Sequence, residues 1–412
     1  MPVLSSNAIR VSTESASSVK AARMLLRLLR ATQPISRAEL ARRLGCNRST
    51  VTDVFKPLIA SGLVREESLS SSSVVNRTQG RPALSLSFCG EREFFIGVNI
   101  GVRRSQVGLS TLSGEILAEE EFDTPADQSS ALSQVRAIIE RLCAGISERE
   151  LKVIGVSVPG PTDAGRGRLL YAPHLGWRDV DVADKLRLDS DSTNNGVPVI
   201  VENDATAAAI YEGRLRLRDG NENLLNDFVL VRSGTGIGVG LVLGGEVYRG
   251  TGTGKGIAGE FGHMTIIAGG KPCVCGNRGC WEMYASASAA SSLYTGDRVQ
   301  LGGKRAPRYV EIVERAEAGE IRAQRTLERI GEYLGVGIGN LIIGLGVPHV
   351  IVSGRIVYGW KFLQERLHEA VGQSMAGKLP GWRVEPGEPT GAGLGGALEV
   401  AAEELLTTGF ST

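Results

Sequence analysis

The sequence lacks a secretion signal, an uninterrupted membrane span and an overall charge. Arg10, Glu14 and Lys20 break every apolar run in the first thirty residues, so no signal-peptide core is present and secretion is not expected. The longest uncharged stretch, Tyr333 to Gly354, is long enough to cross a bilayer but contains Pro348, His349 and six Gly. It reads instead as the end of a helix, a turn and a buried strand from His349 to Val352. Lys plus Arg number 46 against 45 Asp plus Glu, a net +1, which excludes a strongly basic packing protein and an acidic disordered chain. Aromatic residues are sparse at 5 %. These absences point to a cytoplasmic, globular protein with no membrane contact.

What is present is apolar residue, at 42 %, and glycine, at 54 of 412 residues. The glycine share is about twice the usual ~7 % and predicts tight turns and close backbone approach to a ligand. The length suggests two or three domains of roughly 150 residues. Charge is unevenly spread. Residues 1–90 hold thirteen Lys or Arg against five acids, a balance of +8 that leaves −7 for the remainder. The two parts are expected to face different partners.

In the basic part, Val19, Ala22, Leu25, Leu26 and Leu29 recur at helical spacing, with Arg23, Arg27 and Arg30 on other faces. Ser36 followed by Glu39 forms a capping box for a short helix that ends at Gly45. Asn47 caps a third helix through Val51, Val54, Phe55 and Leu58, where Pro57 should kink or distort the last turn. This is a helix-turn-helix pattern. Asn47, Arg48, Ser49, Thr50, Thr52 and Lys56 are its candidate contacts to base edges and phosphates. Two short strands around a polar tip, with Arg77 or Arg81 at hand, make a wing able to reach a phosphate or the minor groove. A small packing or dimerisation module is the alternative, but charge, capping, spacing and wing agree on DNA binding.

From Glu91 the pattern changes to strands at Phe94–Asn99, Gln106–Ser110 and Glu115–Glu121, a helix from about Asp127 to Cys143, and a buried strand Val153–Val158. A similar order returns near Asp227–Arg232, Gly238–Leu243, Glu246–Tyr248, long helices and His349–Val352. This predicts a duplicated α/β domain with a ligand crevice between its halves. Asn203 and Asp204 stand at a strand-to-helix junction, where they serve either as a helix cap or as partners for a polyol, with Asp204 also able to act as a base. The turn Ser233 to Gly238 is rich in Gly but lacks the Lys of a phosphate-binding loop. His263, Cys273, Cys275 and Cys280 supply four ligands suited to a closed tetrahedral zinc site, against the plainer reading of free thiols in a reduced compartment. The helix around Gln324–Ile343 packs either in the cleft or at a dimer interface.

The motif Gly259-Glu260-Phe261-Gly262-His263, joined to Cys273-Val274-Cys275-Gly276 and Gly279-Cys280-Trp281-Glu282, resembles the ROK family of repressors and sugar kinases. The resemblance covers almost everything after residue 19 and is nearest to the sugar-responsive transcriptional regulators. It implies a winged helix-turn-helix at 1–90 followed by a two-lobed, actin-like α/β fold. Lobe I would span 91–205, with a returning helix at 391–405, and lobe II 206–390, carrying the zinc loop. It implies one structural zinc per chain on His263, Cys273, Cys275 and Cys280. It also implies a sugar site at Asn203, Asp204, Glu260, His263 and Glu282, with His174 where many kinases of the family carry Asn. Kinases of the family have Asp-x-Gly-Gly-Thr-Lys after the first strand; here the turn reads Asn99-Ile100-Gly101-Val102-Arg103-Arg104. Asn99, Val102 and Arg103 leave no placed phosphoryl donor, so Asp204, the family's base position, is expected to bind ligand only. The expectation is a dimeric regulator, a repressor, that binds palindromic double-stranded DNA and responds to a monosaccharide or derivative. The alternatives are an ATP-dependent hexose or N-acetylhexosamine kinase with a DNA-binding head, and a regulator controlled by a protein partner.

Overall fold

The computed structural model describes residues 16–68, 84–89, 93–146, 150–188, 196–220, 226–251, 256–296 and 306–408. The first helix, Ala16–Thr32, buries Leu25, Leu26, Leu28 and Leu29. Ser36 then caps Arg37–Leu44 by accepting from the Glu39 amide at 3.2 Å. The reciprocal half of that capping box is absent, because the Glu39 carboxylate turns outward to Arg42. Gly45, at φ 61°, ends the helix in the left-handed conformation. The third helix, Arg48–Ala60, begins at Asn47, whose side chain makes no capping bond, and runs through Pro57 to Ala60. Strands Val64–Ser68 and Leu84–Phe88 pair antiparallel, and Ile35–Ser36 joins their sheet. The wing tip, including Arg77 and Arg81, lies outside the described residues.

Each lobe is built on a five-stranded sheet of the same design. In lobe I, Phe94–Asn99 pairs antiparallel with Arg104–Thr111, which continues to Ile116–Asp123. On its other side it pairs parallel with Leu151–Val158 and then Val199–Asn203. In lobe II, Phe228–Ser233 takes the central place, with Ile237–Leu243 and Glu246–Val247 antiparallel on one side and His349–Ser353 and Arg383–Pro386 parallel on the other. The duplication read from the sequence is therefore a duplication of topology. A small antiparallel sheet of Thr162–Asp163, Arg168–Ala172 and Trp177–Asp181 is added to lobe I.

The helix Ala392–Thr408 packs across the lobe I strands. The long helix Ile321–Leu345 packs one face into lobe II and leaves Val336 and Ile343 exposed on the other. It buries Leu327, Ile330, Leu334, Ile338 and Leu341 in the lobe II core beside the helix Trp360–Gln373. It ends at Gly346 before the strand His349–Ser353, so the uncharged stretch is a helix, turn and strand. Among the described residues no helix is long and apolar enough to cross a membrane.

The head is not separated from the body. Its core residues Leu25, Leu29, Phe55 and Leu86 form one apolar cluster with Phe95, Leu112, Val153, Leu217 and Leu406 of lobe I and its attached helices. Charges cross the same junction. Arg30, 3 % exposed, donates to Glu399 and to the Leu112 carbonyl. Arg27 donates to Glu403 and to the Gly245 carbonyl at 2.8 Å. Part of the amino-terminal surplus of positive charge is thus spent on the body's acids rather than displayed to a polyanion.

Candidate functional site between the lobes

The strand Val199–Asn203 delivers Asn203 and Asp204 to the start of the helix Asp204–Arg218. The Asn203 side-chain oxygen accepts from the amides of Ala205 at 2.9 Å and Thr206 at 3.1 Å, and its Nδ2 donates to the Gly160 carbonyl at 3.0 Å. Asn203 is therefore both a helix cap and the pin that fixes the Pro159–Gly160 loop; one amide hydrogen is left for a ligand. Asp204 has a different environment. Its Oδ2 accepts from Arg232 Nη1 at 2.6 Å, and both side chains stay about a quarter exposed, at 25 % and 28 %.

Lobe II closes over this point with its Gly-rich turn. A Cβ on Gly236 would lie 2.3 Å from Glu282 Oε2 and 3.3 Å from His174 Nε2, so a larger residue would have to displace these side-chain tips. His174 Nε2 is 3.6 Å from Glu282 Oε2, beyond hydrogen-bond reach but close enough for the carboxylate to raise the imidazole's pKa. Glu260, on the short turn Glu260–His263, is pushed up to about 7, first by burial and then by the charges of Asp204 and Glu282. Asp204, Glu260, Glu282, His263 and His174 thus face one interlobe space, with Asn203 bracing its floor. Clustered carboxylates and imidazoles of this kind are suited to a ligand rich in hydroxyls.

Behind this space lie the four sulfur and nitrogen ligands. One ligand atom from each of His263, Cys273, Cys275 and Cys280 lies within 4.8 Å of the others. Cys273 Sγ is 3.5 Å from His263 Nδ1, and Cys275 Sγ is 3.7 Å from Cys280 Sγ. A tetrahedral ion with bonds of about 2.3 Å to sulfur and about 2.0 Å to nitrogen requires edges of roughly 3.5 and 3.8 Å. The donors present therefore fit such an ion. Gly279, at φ 79°, lets the loop double back where a Cβ would sit 1.7 Å from the Ile267 carbonyl oxygen. The adjoining Trp281 is fully buried and donates to the Tyr333 carbonyl at 2.9 Å, tying the loop to the long helix. His263 directs Nδ1 to the sulfurs while Nε2 lies 3.9 Å from Glu260 Oε2. The ring thus links the metal ligands to the interlobe space.

The first turn of lobe I carries Asn99 at its start and Arg103 and Arg104 at its end. Asn99 donates to Gln106 Oε1 at 3.2 Å and accepts from Ser157 Oγ at 3.4 Å. Arg103 is exposed beside it. In the head, Asn47, Arg48, Ser49 and Lys56 are exposed, and Thr50 and Thr52 are half-buried. Thr52 returns its hydroxyl to the Arg48 carbonyl at 3.0 Å. The sequence reading missed Arg232, Arg355 and the Arg249–Glu202 pair at 2.5 Å. Arg232 was legible as the one charge in a strand of Phe, Val, Leu and Ser, near its carboxyl end, where ligands bind in such folds.

Known proteins share this fold. The model of the MarR family matches residues 22–71, the winged head. The xylose repressor of Bacillus subtilis (strain 168) is 31 % identical over 341 residues, covering 81 % of this chain and 82 % of that protein. A solved ROK family transcriptional regulator, a homologue of the E. coli MLC protein, superimposes with a TM-score of 0.73 at 24 % identity and covers 96 % of this chain and 98 % of its own, which shows the common fold. The ROK family glucokinase from Streptomyces griseus, solved with glucose and AMPPNP, has a TM-score of 0.61 at 27 % identity and covers 75 % of this chain and 99 % of its own. With the ROK family model matching residues 95–404, across both lobes and the cysteine loop, the chain belongs to the ROK family.

Proposed function

We propose that this chain is a sugar-responsive DNA-binding transcriptional regulator that acts as a cytoplasmic, homodimeric repressor. The observation that carries this reading is one helix. Asp204–Arg218 begins at the interlobe space and ends at the head, where the Arg43 guanidinium donates to the Leu217 carbonyl. At 1.5 Å per residue it is a rigid rod of about 22 Å. A sugar bound at Asp204, Glu260 and Glu282 stabilises one lobe closure, and the helix and the Arg27 cluster transmit that closure to the DNA-reading helix. Such coupling requires only that the ligand bind the two closures unequally. The xylose and glucose named for the two relatives are the first candidate effectors.

In this reading the chain is not a kinase. Asn99 replaces a carboxylate, Arg103 occupies the phosphate turn, and the Asp204 carboxylate is engaged by Arg232. One structural zinc sits on His263, Cys273, Cys275 and Cys280, where it would hold the loop that presents Glu260 and Glu282. The retained Asp204 and Gly-rich turn favour the kinase as the second reading. The test is operator binding by the full chain with and without xylose, glucose and N-acetylglucosamine, run beside an ATP-turnover assay. A sugar-dependent change in operator affinity without ADP release is expected. ADP release near 1 s⁻¹, at the low end of enzyme rates, would overturn the regulator-only reading.

A further inference from the structure

A cavity of about 250 Å³ lies where the head meets lobe I. Four elements wall it. The strand Arg104–Thr111 contributes Ser110, the helix Asp204–Arg218 contributes Tyr211 and Arg214, and the helix Ala392–Thr408 contributes Leu398 and Glu399. The fourth wall is Arg30, from the first helix of the head. Tyr211 and Arg214 come seven and ten residues after Asp204, about 10 and 15 Å along the same helix. Ser110 lies four residues beyond Gln106, the wall residue that bonds Asn99, and so stands roughly 13 Å further down the strand. The end of the cavity at Ser110 and Arg30 is therefore remote from the interlobe space.

Two groups on this wall are buried without a hydrogen-bond partner, Arg30 Nη2 and Ser110 Oγ. Arg30 is 3 % exposed and Ser110 is fully buried. The rest of the Arg30 guanidinium is engaged, Nε donating to the Leu112 carbonyl at 3.0 Å and Nη1 to Glu399 Oε2. The other oxygen of Glu399 accepts from Arg214 Nη1 at 2.5 Å. Two guanidiniums thus share one carboxylate. Glu403, one turn further along that helix, is taken by Arg27, and Glu119, the other acid on the wall, is exposed. A buried cation short of one negative charge and a hydroxyl short of a partner therefore line the same space. Ordered water would complete the hydrogen bonds but leave the charge unbalanced. A carboxylate completes both, with one oxygen on Arg30 and the other on Ser110.

We infer that this cavity is a binding site for a small organic monocarboxylate, anchored by Arg30 Nη2 and the Ser110 hydroxyl, with Leu394 and Leu398 against its carbon body. The inference does not depend on what the interlobe space binds. Calorimetric titration of the full chain would use acetate, lactate and benzoate beside acetamide, lactamide, benzamide and inorganic phosphate. At least one carboxylate is expected to bind, at least ~10-fold more tightly than its own amide, because only the charged form answers Arg30. Ser110→Ala removes an unpaired buried hydroxyl, so the free chain should melt no lower than the wild type while carboxylate affinity falls ~10-fold. Arg30→Lys keeps a charge opposite Glu399 but removes the free nitrogen of the fork, and should abolish binding. If that variant does not fold, Ser110→Ala decides alone. Carboxylate binding left unchanged by Ser110→Ala, or matched by the amides, would overturn the site, as would failure of all three carboxylates to bind. Phosphate binding as tight as the best carboxylate would overturn the ligand class.

Discussion

Arg27 grips Glu403 with two nitrogens, Nε at 2.9 Å and Nη2 at 2.8 Å, while the same guanidinium holds lobe II through the Gly245 carbonyl at 2.8 Å and Glu246 at 3.3 Å. Glu403 belongs to the helix that packs on lobe I, so one side chain of the head touches both lobes. Any rotation of one lobe against the other must stretch or break part of this clasp. A bidentate charge-assisted pair is strong and geometrically demanding, which makes it a sensor of lobe position.

Arg27→Gln is therefore expected to uncouple the two functions. Effector affinity should stay within about twofold, while the effector's influence on operator binding, about 1–3 kcal/mol for an ordinary allosteric coupling, should fall close to zero. Calorimetry for the effector and fluorescence anisotropy for the operator separate the two. A variant that retains the full response would remove Arg27 from the coupling route.

Asp204→Asn should abolish the effector response and leave operator binding intact. Asn203→Ala is a less clean probe, because it also removes a helix cap worth about 1 kcal/mol and frees the Gly160 loop. Thermal unfolding should show the difference, with Asn203→Ala several degrees below Asp204→Asn. An unchanged dose response in Asp204→Asn would place the effector elsewhere.

Elemental analysis of the purified chain should find about one zinc per molecule, as four protein ligands imply. Cys280→Ser should lose the metal, lower the unfolding temperature and abolish the effector response, because Trp281 and Glu282 follow directly on that ligand. A zinc-free protein with an unaltered melting curve and response would refute the structural role.

Arg48→Ala and Lys56→Ala should fail differently. Arg48, at the exposed start of the reading helix, is expected to cost about 1–3 kcal/mol on the cognate operator and little on random DNA. Lys56, nearer the end, should weaken both alike and reduce the salt dependence of binding by about one counterion. Anisotropy titrations at several salt concentrations distinguish the two roles.

Glu202 offers a pH test. It is 2 % exposed, and burial raises its pKa even with Arg249 at 2.5 Å. A carboxyl with a raised folded pKa stays protonated in the native state while the unfolded chain ionises, so its contribution favours folding at low pH and is lost as pH rises through the folded value. Arg249→Met removes the counter-charge and should sharpen this effect. At pH 8 it should cost on the order of 3 kcal/mol, and at pH 5 much less, as denaturant titrations at the two pH values would measure. Equal losses at both would mean that Glu202 is not the group responsible.

Local signals carried much of this molecule. Ser36, Gly45 and Asp127 mark helix ends with their own side chains or backbone preferences, and the structure puts boundaries at those residues. The His and Cys spacing of the metal loop is likewise local, because all four ligands lie within eighteen residues. What escaped the sequence depends on tertiary pairing. In the sequence Arg27 and Arg30 stand only as positive charge on the outer faces of a helix, and Glu399 and Glu403, more than 360 residues away, come beside them only in the fold. Arg232 and Arg355 become neighbours only when two parallel strands pair, and the long helix found its place only when Trp281 packed against it.

The apolar cluster shared by head and lobe I bears on modularity. A chimera that exchanged residues 16–88 for another regulator's reading head would leave Phe95, Leu112, Val153 and Leu406 facing unmatched side chains. Packed interiors tolerate such mismatch poorly. Specificity for a new operator is better grafted by changing exposed positions of the Arg48–Ala60 helix alone, which leaves the seam between reader and sensor in its native fit.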